Sequence, residues 1–152
     1  MARLAREAQD DRDWALAQGQ IADVLAARGE LGEALRIRRE EELPVYARLG
    51  DVRERAVTLG KIADVLTAWG ELDEALRIRR EETLPIYQRL GDVRSRAITL
   101  GQIADVLAAR GELDEALRSR REEELPVYER LGDVRAQPWH RGSDWRRVAG
   151  FV

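Results

Sequence analysis

Apolar residues recur every three or four positions along most of the chain, which is the spacing of one face of an α-helix. The clearest stripe consists of Ala56, Leu59, Ile62, Ala63 and Leu66. A second stripe, formed by Leu72, Ala75 and Leu76, follows after Gly70. Glycine commonly ends a helix because it adopts the left-handed conformation without strain. The pattern predicts two helices joined by a short turn. Asp51 can cap the first helix, and Glu54 three residues later completes an arrangement like a capping box.

This helix pair is repeated three times. The string Ile-Ala-Asp-Val-Leu begins at Ile21, Ile62 and Ile103, which are 41 residues apart. Prolines and glycines follow at the same interval. The repeat predicts three units at about residues 11–51, 52–92 and 93–133, and a degenerate tail at 134–152. Residues 1–10 align loosely with the second half of a second helix, Leu4 with Val45 and Asp10 with Asp51.

The second helix of the middle unit is expected to run from about Glu71 to Leu90, where Gly91 stops it. Pro85 falls inside it, lacks a backbone N–H and clashes with the carbonyl four residues back. A kinked but continuous helix is favoured, and a break into two short helices is the alternative. In the tail, Ser143 and Asp144 can cap a short helix. The tail either covers the last helix pair or is the scar of a longer array that was truncated or recombined.

A single helix pair cannot bury its own apolar face, so such pairs stack into arrays. The predicted fold is therefore all-α: a right-handed α-solenoid of helix-turn-helix repeats with a 41-residue period.

The segment Gly-Glu-Leu-Asp-Glu-Ala-Leu at 70–76, preceded by Ile62, Ala63 and Leu66, resembles the core of the tetratricopeptide repeat (TPR). Its period exceeds the usual length of about 34 residues and is similar to that of kinesin-light-chain-like and bacterial signalling-protein repeats. The resemblance covers roughly residues 11–133. It departs from the family pattern at Arg79 and Glu82, where the family has an aromatic residue and an alanine. The resemblance implies protein or peptide binding and no chemistry.

Charge and composition exclude several other classes of protein. Charged residues make up 36% of the chain, but the net charge is only −3, so nothing favours binding to nucleic acid or to an anionic membrane. No stretch approaches the roughly 20 apolar residues of a membrane span. A cytoplasmic protein is expected.

Catalytic chemistry is not expected. His140 is the only histidine, cysteine is absent, and the serines have no base at a motif spacing. There is no glycine-rich phosphate loop and no metal-ligand spacing. The sequence therefore predicts a protein that is not an enzyme and has no cofactor or metal.

A partner site is predicted on the first helices, where an aspartate recurs at the position that faces the concave groove in the resembled family. The predicted partner-binding residues are Asp23, Asp64, Asp105, Lys61, Thr67 and Trp69. A row of carboxylates in a groove would suit a basic peptide. The alternative is that the aspartates form internal ion pairs with Arg38, Arg79 and Arg120, which fall on the apolar stripe of the second helices together with Glu42, Thr83 and Glu124. For Trp69 the alternative is an unconstrained surface position.

Two functions fit these features. The first is a scaffold module that binds a protein or peptide and forms one segment of a larger regulatory or signalling protein. The second is a structural element that assembles with itself, because nearly identical units present nearly identical faces for end-to-end stacking. Consensus design would produce the same near-identity of units.

Overall fold

The computed structural model describes residues 2–132, and every element in this range is helical. The elements are α1 (Ala2–Ala27), α2 (Leu31–Ile37), π1 (Arg38–Glu42), α3 (Leu43–Leu49), α4 (Val52–Ala68), α5 (Leu72–Arg77), π2 (Ile78–Thr83), α6 (Leu84–Leu90), α7 (Val93–Ala109), α8 (Leu113–Ser119), π3 (Arg120–Glu124) and α9 (Leu125–Arg130). The predicted all-α class is confirmed for this range. The tail at 134–152, with His140 and its expected short helix, lies outside the described residues.

The helices follow the period of the sequence. Helix α4 spans Val52–Ala68 and α7 spans Val93–Ala109, so both boundaries shift by 41 positions. Each first helix is followed by a second rod in three consecutive parts, such as α5, π2 and α6. We call each first helix together with its rod a hairpin.

The chain forms two compact units, Met1–Leu90 and Gly91–Val152. In the N-terminal unit, α1 packs on its own rod of α2, π1 and α3. Helix α4 packs both on this preceding rod and on its own rod of α5, π2 and α6. In the C-terminal unit, α7 packs on α8, π3 and α9. Helix α4 therefore has rods on two sides of its surface.

The main hydrophobic core of the N-terminal unit surrounds α4. It comprises Leu35, Ala56, Leu59, Ile62, Ala63, Val65, Leu66, Ala75, Ile78 and Ile86, with Leu31, Leu43 and Tyr87 packed against it. Leu31, Leu35 and Leu43 belong to the preceding hairpin. The predicted stripe of α4 is thus buried by two hairpins together.

Glycines in the left-handed conformation end the helices. Gly50 has a φ of +68°, its N–H donates to the Ala47 carbonyl, and the N–H of Asp51 donates to the Tyr46 carbonyl. These bonds satisfy carbonyls that the end of a helix leaves without partners. Asp51 then caps α4, because its Oδ1 accepts from the N–H of Glu54 at 3.2 Å. The predicted glycine stop and aspartate cap are both confirmed.

Helix α1 continues from Ala2 to Ala27 without interruption, so residues 2–10 belong to the first helix. The physical reason lies at Gln9, which occupies the position of Gly50 one repeat earlier. Glutamine favours the helix and resists the left-handed conformation that a glycine turn requires.

The second rod passes its proline without a break. The N–H of Leu43, the residue before Pro44, donates to the Arg38 carbonyl five residues back, which is a π-helical bond. The same bond joins Leu84 to Arg79 before Pro85. The wider turn displaces the carbonyl that would clash with the proline ring. The prediction of a continuous helix is confirmed, and the alternative of two separate helices is wrong.

The glycine turn provides a test of this local structure. Replacing Gly50 with alanine should lower the free energy of unfolding by about 1–2 kcal/mol, because a Cβ is strained at positive φ. Gly60 is a matched control, since it lies within α4 and a Cβ there has open space. Gly60→Ala should raise stability by about 0.5–1 kcal/mol, as helix propensity dictates. Denaturant unfolding followed by circular dichroism measures both, and equal effects would contradict the turn geometry.

Candidate functional site

Each aspartate of the predicted row lies beside an arginine of its own hairpin. Asp23 Oδ1 accepts from Arg38 Nη2 at 2.7 Å, and Asp64 Oδ1 accepts from Arg79 Nη2 at 2.5 Å. Asp105 makes the same contact with Arg120. The carboxylate is on the first helix and the guanidinium is at the start of the π segment or next to it. The expected internal ion pairs are confirmed.

The two partners of each pair differ in burial. The Arg38 and Arg79 side chains are only 3% and 4% exposed, whereas those of Asp23 and Asp64 are 48% and 59% exposed. Each carboxylate therefore compensates a buried cation while part of its surface faces solvent. In the last hairpin the Arg120 side chain is itself 44% exposed. Only the first two pairs thus compensate a buried charge.

Lys61 links the first two hairpins. Its Nζ donates to Asp23 Oδ1 at 2.9 Å and to Oδ2 at 3.1 Å, so one ion pair joins α4 to α1. Burial alone would raise the pKa of Asp23, but hydrogen bonds from Arg38 and Lys61 prevail and hold the pKa below its ordinary value. Asp23 is therefore ionised at neutral pH.

A groove of about 320 Å³ opens between α1 and α4. It is lined by Asp23, Ala26, Leu31, Arg38, Lys61, Asp64, Val65 and Ala68. Its apolar floor combines with two carboxylates and two cations. Arg38 and Lys61 both donate to Asp23, whereas Asp64 is held by Arg79, which lies outside the lining. Ligand sites in proteins are usually concave and apolar, with a few polar groups in fixed orientations.

The structure brings together three of the six predicted site residues, Asp23, Lys61 and Asp64. Thr67 does not line the groove, and its hydroxyl donates to the Ala63 carbonyl of the same helix at 2.8 Å. Trp69 is 48% exposed at the end of α4, also outside the groove lining. Asp105 belongs to the C-terminal unit.

A buried carboxylate accompanies the site. Glu42 is 6% exposed, accepts from the Thr58 hydroxyl of α4 at 3.1 Å, and lies 3.6 Å from Arg38 Nη1. A Cβ on Gly19 would lie 2.6 Å from Glu42 Oε1, so this glycine leaves room for the carboxylate. Burial raises the pKa of Glu42, although the bond from Thr58 opposes this shift. Next to it, burial and the charge of Glu42 raise the pKa of Tyr46 to about 12.

The polar role of Thr58 is not predicted from the sequence. Thr58 and its equivalent Thr99 are buried at 1% and 3% exposure. The signal that could have revealed them is a hydroxyl recurring on an otherwise apolar helix face.

Within residues 2–132, no three potential metal ligands lie close enough to hold an ion. In the same range, none of the helices has the length and apolar character that a membrane span requires. Comparison with protein-family models and with curated proteins found no significant match.

The ion pairs can be tested by deleting one carboxylate. Asp64→Ala should destabilise the protein by about 1–2 kcal/mol, because Arg79 stays buried without this partner. Asp105→Ala is the matched control, since Arg120 is half-exposed and water can replace the carboxylate; its cost should stay below about 0.5 kcal/mol. Both substitutions replace Asp with Ala within a helix, so helix propensity raises the stability of the two variants by the same amount. Denaturant unfolding gives the difference, and equal costs would contradict the role of burial.

The raised pKa of Glu42 predicts a pH-dependent stability difference. The folded state favours the protonated carboxyl of Glu42 more than the unfolded state does. The charged carboxylate therefore lowers the free energy of unfolding at pH values above the pKa of the unfolded chain, and this loss disappears as the pH falls. Glu42→Gln should therefore gain stability over the wild type near neutral pH. The gain should shrink as pH is lowered from about 7 to about 4. Denaturant unfolding of both proteins at several pH values measures this difference. A gain in stability that grows as the pH is lowered would contradict the raised pKa of Glu42.

Proposed function

We propose that this chain is a non-catalytic binding module that holds a peptide segment of a partner protein in the groove between α1 and α4. We also propose that its hairpins are TPR-like repeats of a right-handed solenoid within a larger regulatory or signalling protein. The packing of α4 between its own rod and the preceding one supports the stacked arrangement. The resemblance of residues 62–76 to the TPR core supports the same view.

One observation carries the proposal: the groove combines an apolar floor with charged groups that are already oriented. Ala26, Leu31, Val65 and Ala68 form the apolar part of its lining. The carboxylates of Asp23 and Asp64 are anchored by buried arginines and so lose little side-chain freedom on binding. Preorganised polar groups raise affinity because the ordering cost has been met in folding.

The charges indicate which peptide would fit. Asp64 is 59% exposed and directs a carboxylate toward solvent, which suits a Lys or Arg side chain of the peptide. The positive charge of Lys61 in the same groove repels a basic peptide, although the carboxylate of Asp23, to which Lys61 donates, compensates part of that charge. A peptide with basic residues spaced by small apolar ones matches both the exposed carboxylate of Asp64 and the apolar floor.

Two variants separate these contributions. Asp64→Asn keeps an acceptor for Arg79 and removes the charge, so binding of a basic peptide should weaken about fivefold. Lys61→Gln introduces the residue found at Gln20 and Gln102, and binding should strengthen several-fold. The probe is a short fluorescein-labelled peptide of alternating Arg and Ala, titrated with the full chain and followed by fluorescence anisotropy.

Glu81→Gln is the control variant. It makes the same charge change as Asp64→Asn on a glutamate whose side chain is 68% exposed and outside the groove. It should leave affinity unchanged. Equal weakening by Asp64→Asn and Glu81→Gln would indicate non-specific charge attraction. Equal binding of the counterpart peptide with Glu in place of Arg would contradict the proposal.

A further inference from the structure

Helices α1 and α4 carry the same apolar residues on one face but differ in how well that face is covered. Ile62 and Val65 of α4 are 2% and 5% exposed, in the core that includes Leu31, Leu35 and Leu43 of the preceding hairpin. Their equivalents on α1, Ile21 and Val24, are 50% and 60% exposed. We call the surface of Ala17, Ile21 and Val24 the front face. It is an uncovered copy of the surface by which α4 packs on the first hairpin.

The last described hairpin carries the matching surface, also uncovered. Leu35 is 6% exposed, and it packs with Leu31 and Leu43 in the core around α4. Their equivalents two repeats later are Leu117, Leu113 and Leu125, which are 48%, 65% and 41% exposed. We call these three leucines the back face. It is an uncovered copy of the surface by which the first hairpin receives α4.

From these two faces we infer that the chain binds a second copy of itself, front face against back face. The contact would repeat the one between the first and second hairpins of the N-terminal unit. Ile21 and Val24 are the same residue types as Ile62 and Val65, and the three back-face leucines match Leu31, Leu35 and Leu43. Two different surfaces meet in such a contact, so it forms either a closed ring or a growing assembly. This inference is independent of the peptide groove.

The polar groups of the copied interface are not all conserved between the repeats, and the differences set its strength. Within the chain, Thr58 of α4 donates to the buried Glu42, and Lys61 donates to Asp23. At the junction between copies, Ala17 replaces Thr58 opposite Glu124, and Gln20 replaces Lys61 opposite Asp105. The contact between copies therefore keeps the apolar packing but lacks one hydrogen bond to a carboxylate and one ion pair. It should be weaker than the contact inside the chain.

The test uses one blocking substitution on each face of the full-length chain. Val24→Glu blocks the front face and Leu117→Glu blocks the back face, and both positions are about half-exposed, so the fold should tolerate them. The wild type should self-associate as its concentration rises from the low micromolar to the millimolar range. Each variant alone should stay monomeric, whereas a mixture of the two should form a one-to-one dimer. Light scattering after size exclusion reports the mass, and circular dichroism checks that each variant is folded.

The mixture distinguishes the inferred contact from a symmetric one. If Val24→Glu alone formed dimers, two back faces would be in contact, and the inference would be overturned. Dimers of Leu117→Glu alone would overturn it equally, because two front faces would then meet. A wild-type chain that remains monomeric throughout this concentration range would also overturn the inference.

A gain-of-function variant tests the junction chemistry. Ala17→Thr restores the hydroxyl that faces the glutamate inside the chain, so the dissociation constant should fall by roughly fivefold to tenfold. Ala17→Val is the matched control, since it has nearly the same shape without the hydroxyl. If both variants tighten association equally, apolar contact accounts for the effect. If neither variant changes it, Ala17 lies outside the contact and the inferred register is wrong.

Discussion

The first helix of each hairpin has more apolar surface than its own second rod can cover, and most of the structure follows from this constraint. In α4 the apolar residues lie on two sides, and both sides are buried only because a rod packs on each of them. Burial of a residue such as Ile62 contributes roughly 1.5–3 kcal/mol relative to full exposure. A hairpin without a neighbour forgoes that contribution at several positions at once. Stability in this chain is therefore a property of adjacent hairpins more than of any single one.

The charged groups of the groove are a consequence of the same packing. Arg38 and Arg79 occupy positions on the core side of the second rod, where both are buried. A buried guanidinium is costly without a compensating charge. The carboxylates of Asp23 and Asp64 supply it from the neighbouring first helix, at the edge where they also meet solvent. The polar rim of the groove thus arises from a requirement of the core.

The prolines and glycines divide the chain into these elements by two different mechanisms. The glycines end helices, since the left-handed conformation at Gly50 redirects the backbone and satisfies its last carbonyls. The prolines leave the rod intact, because a π-helical turn before Pro44 accommodates the ring. That turn contains Arg38 and Glu42, so the wider backbone carries the side chains that pair with Asp23 and Thr58. Local backbone chemistry and the polar network therefore coincide in one segment of each rod.

The sequence by itself determined what is local: the helical class, the glycine turns, the aspartate caps and the 41-residue interval. It also indicated that the arginines on the apolar stripe need acidic partners, because the rule against unpaired buried charge depends on residue type and helix phase. The extension of α1 could have been read from Gln9, since no glycine stands there to end a helix. The exclusion of Thr67 and Trp69 from the groove could not be read, because it depends on how α1 and α4 lie side by side.

Burial is what only the tertiary structure decided. Ile21 and Ile62 are the same residue in the same local string, and no sequence rule distinguishes them. One is half-exposed and the other is buried, because a preceding hairpin covers α4 and none covers α1 among residues 2–132. The same holds for Glu42 and Glu124, whose sequence surroundings match but whose exposure differs. Periodicity fixes the direction in which a side chain points from its helix, and only the neighbouring hairpin fixes whether that direction leads into protein or into water.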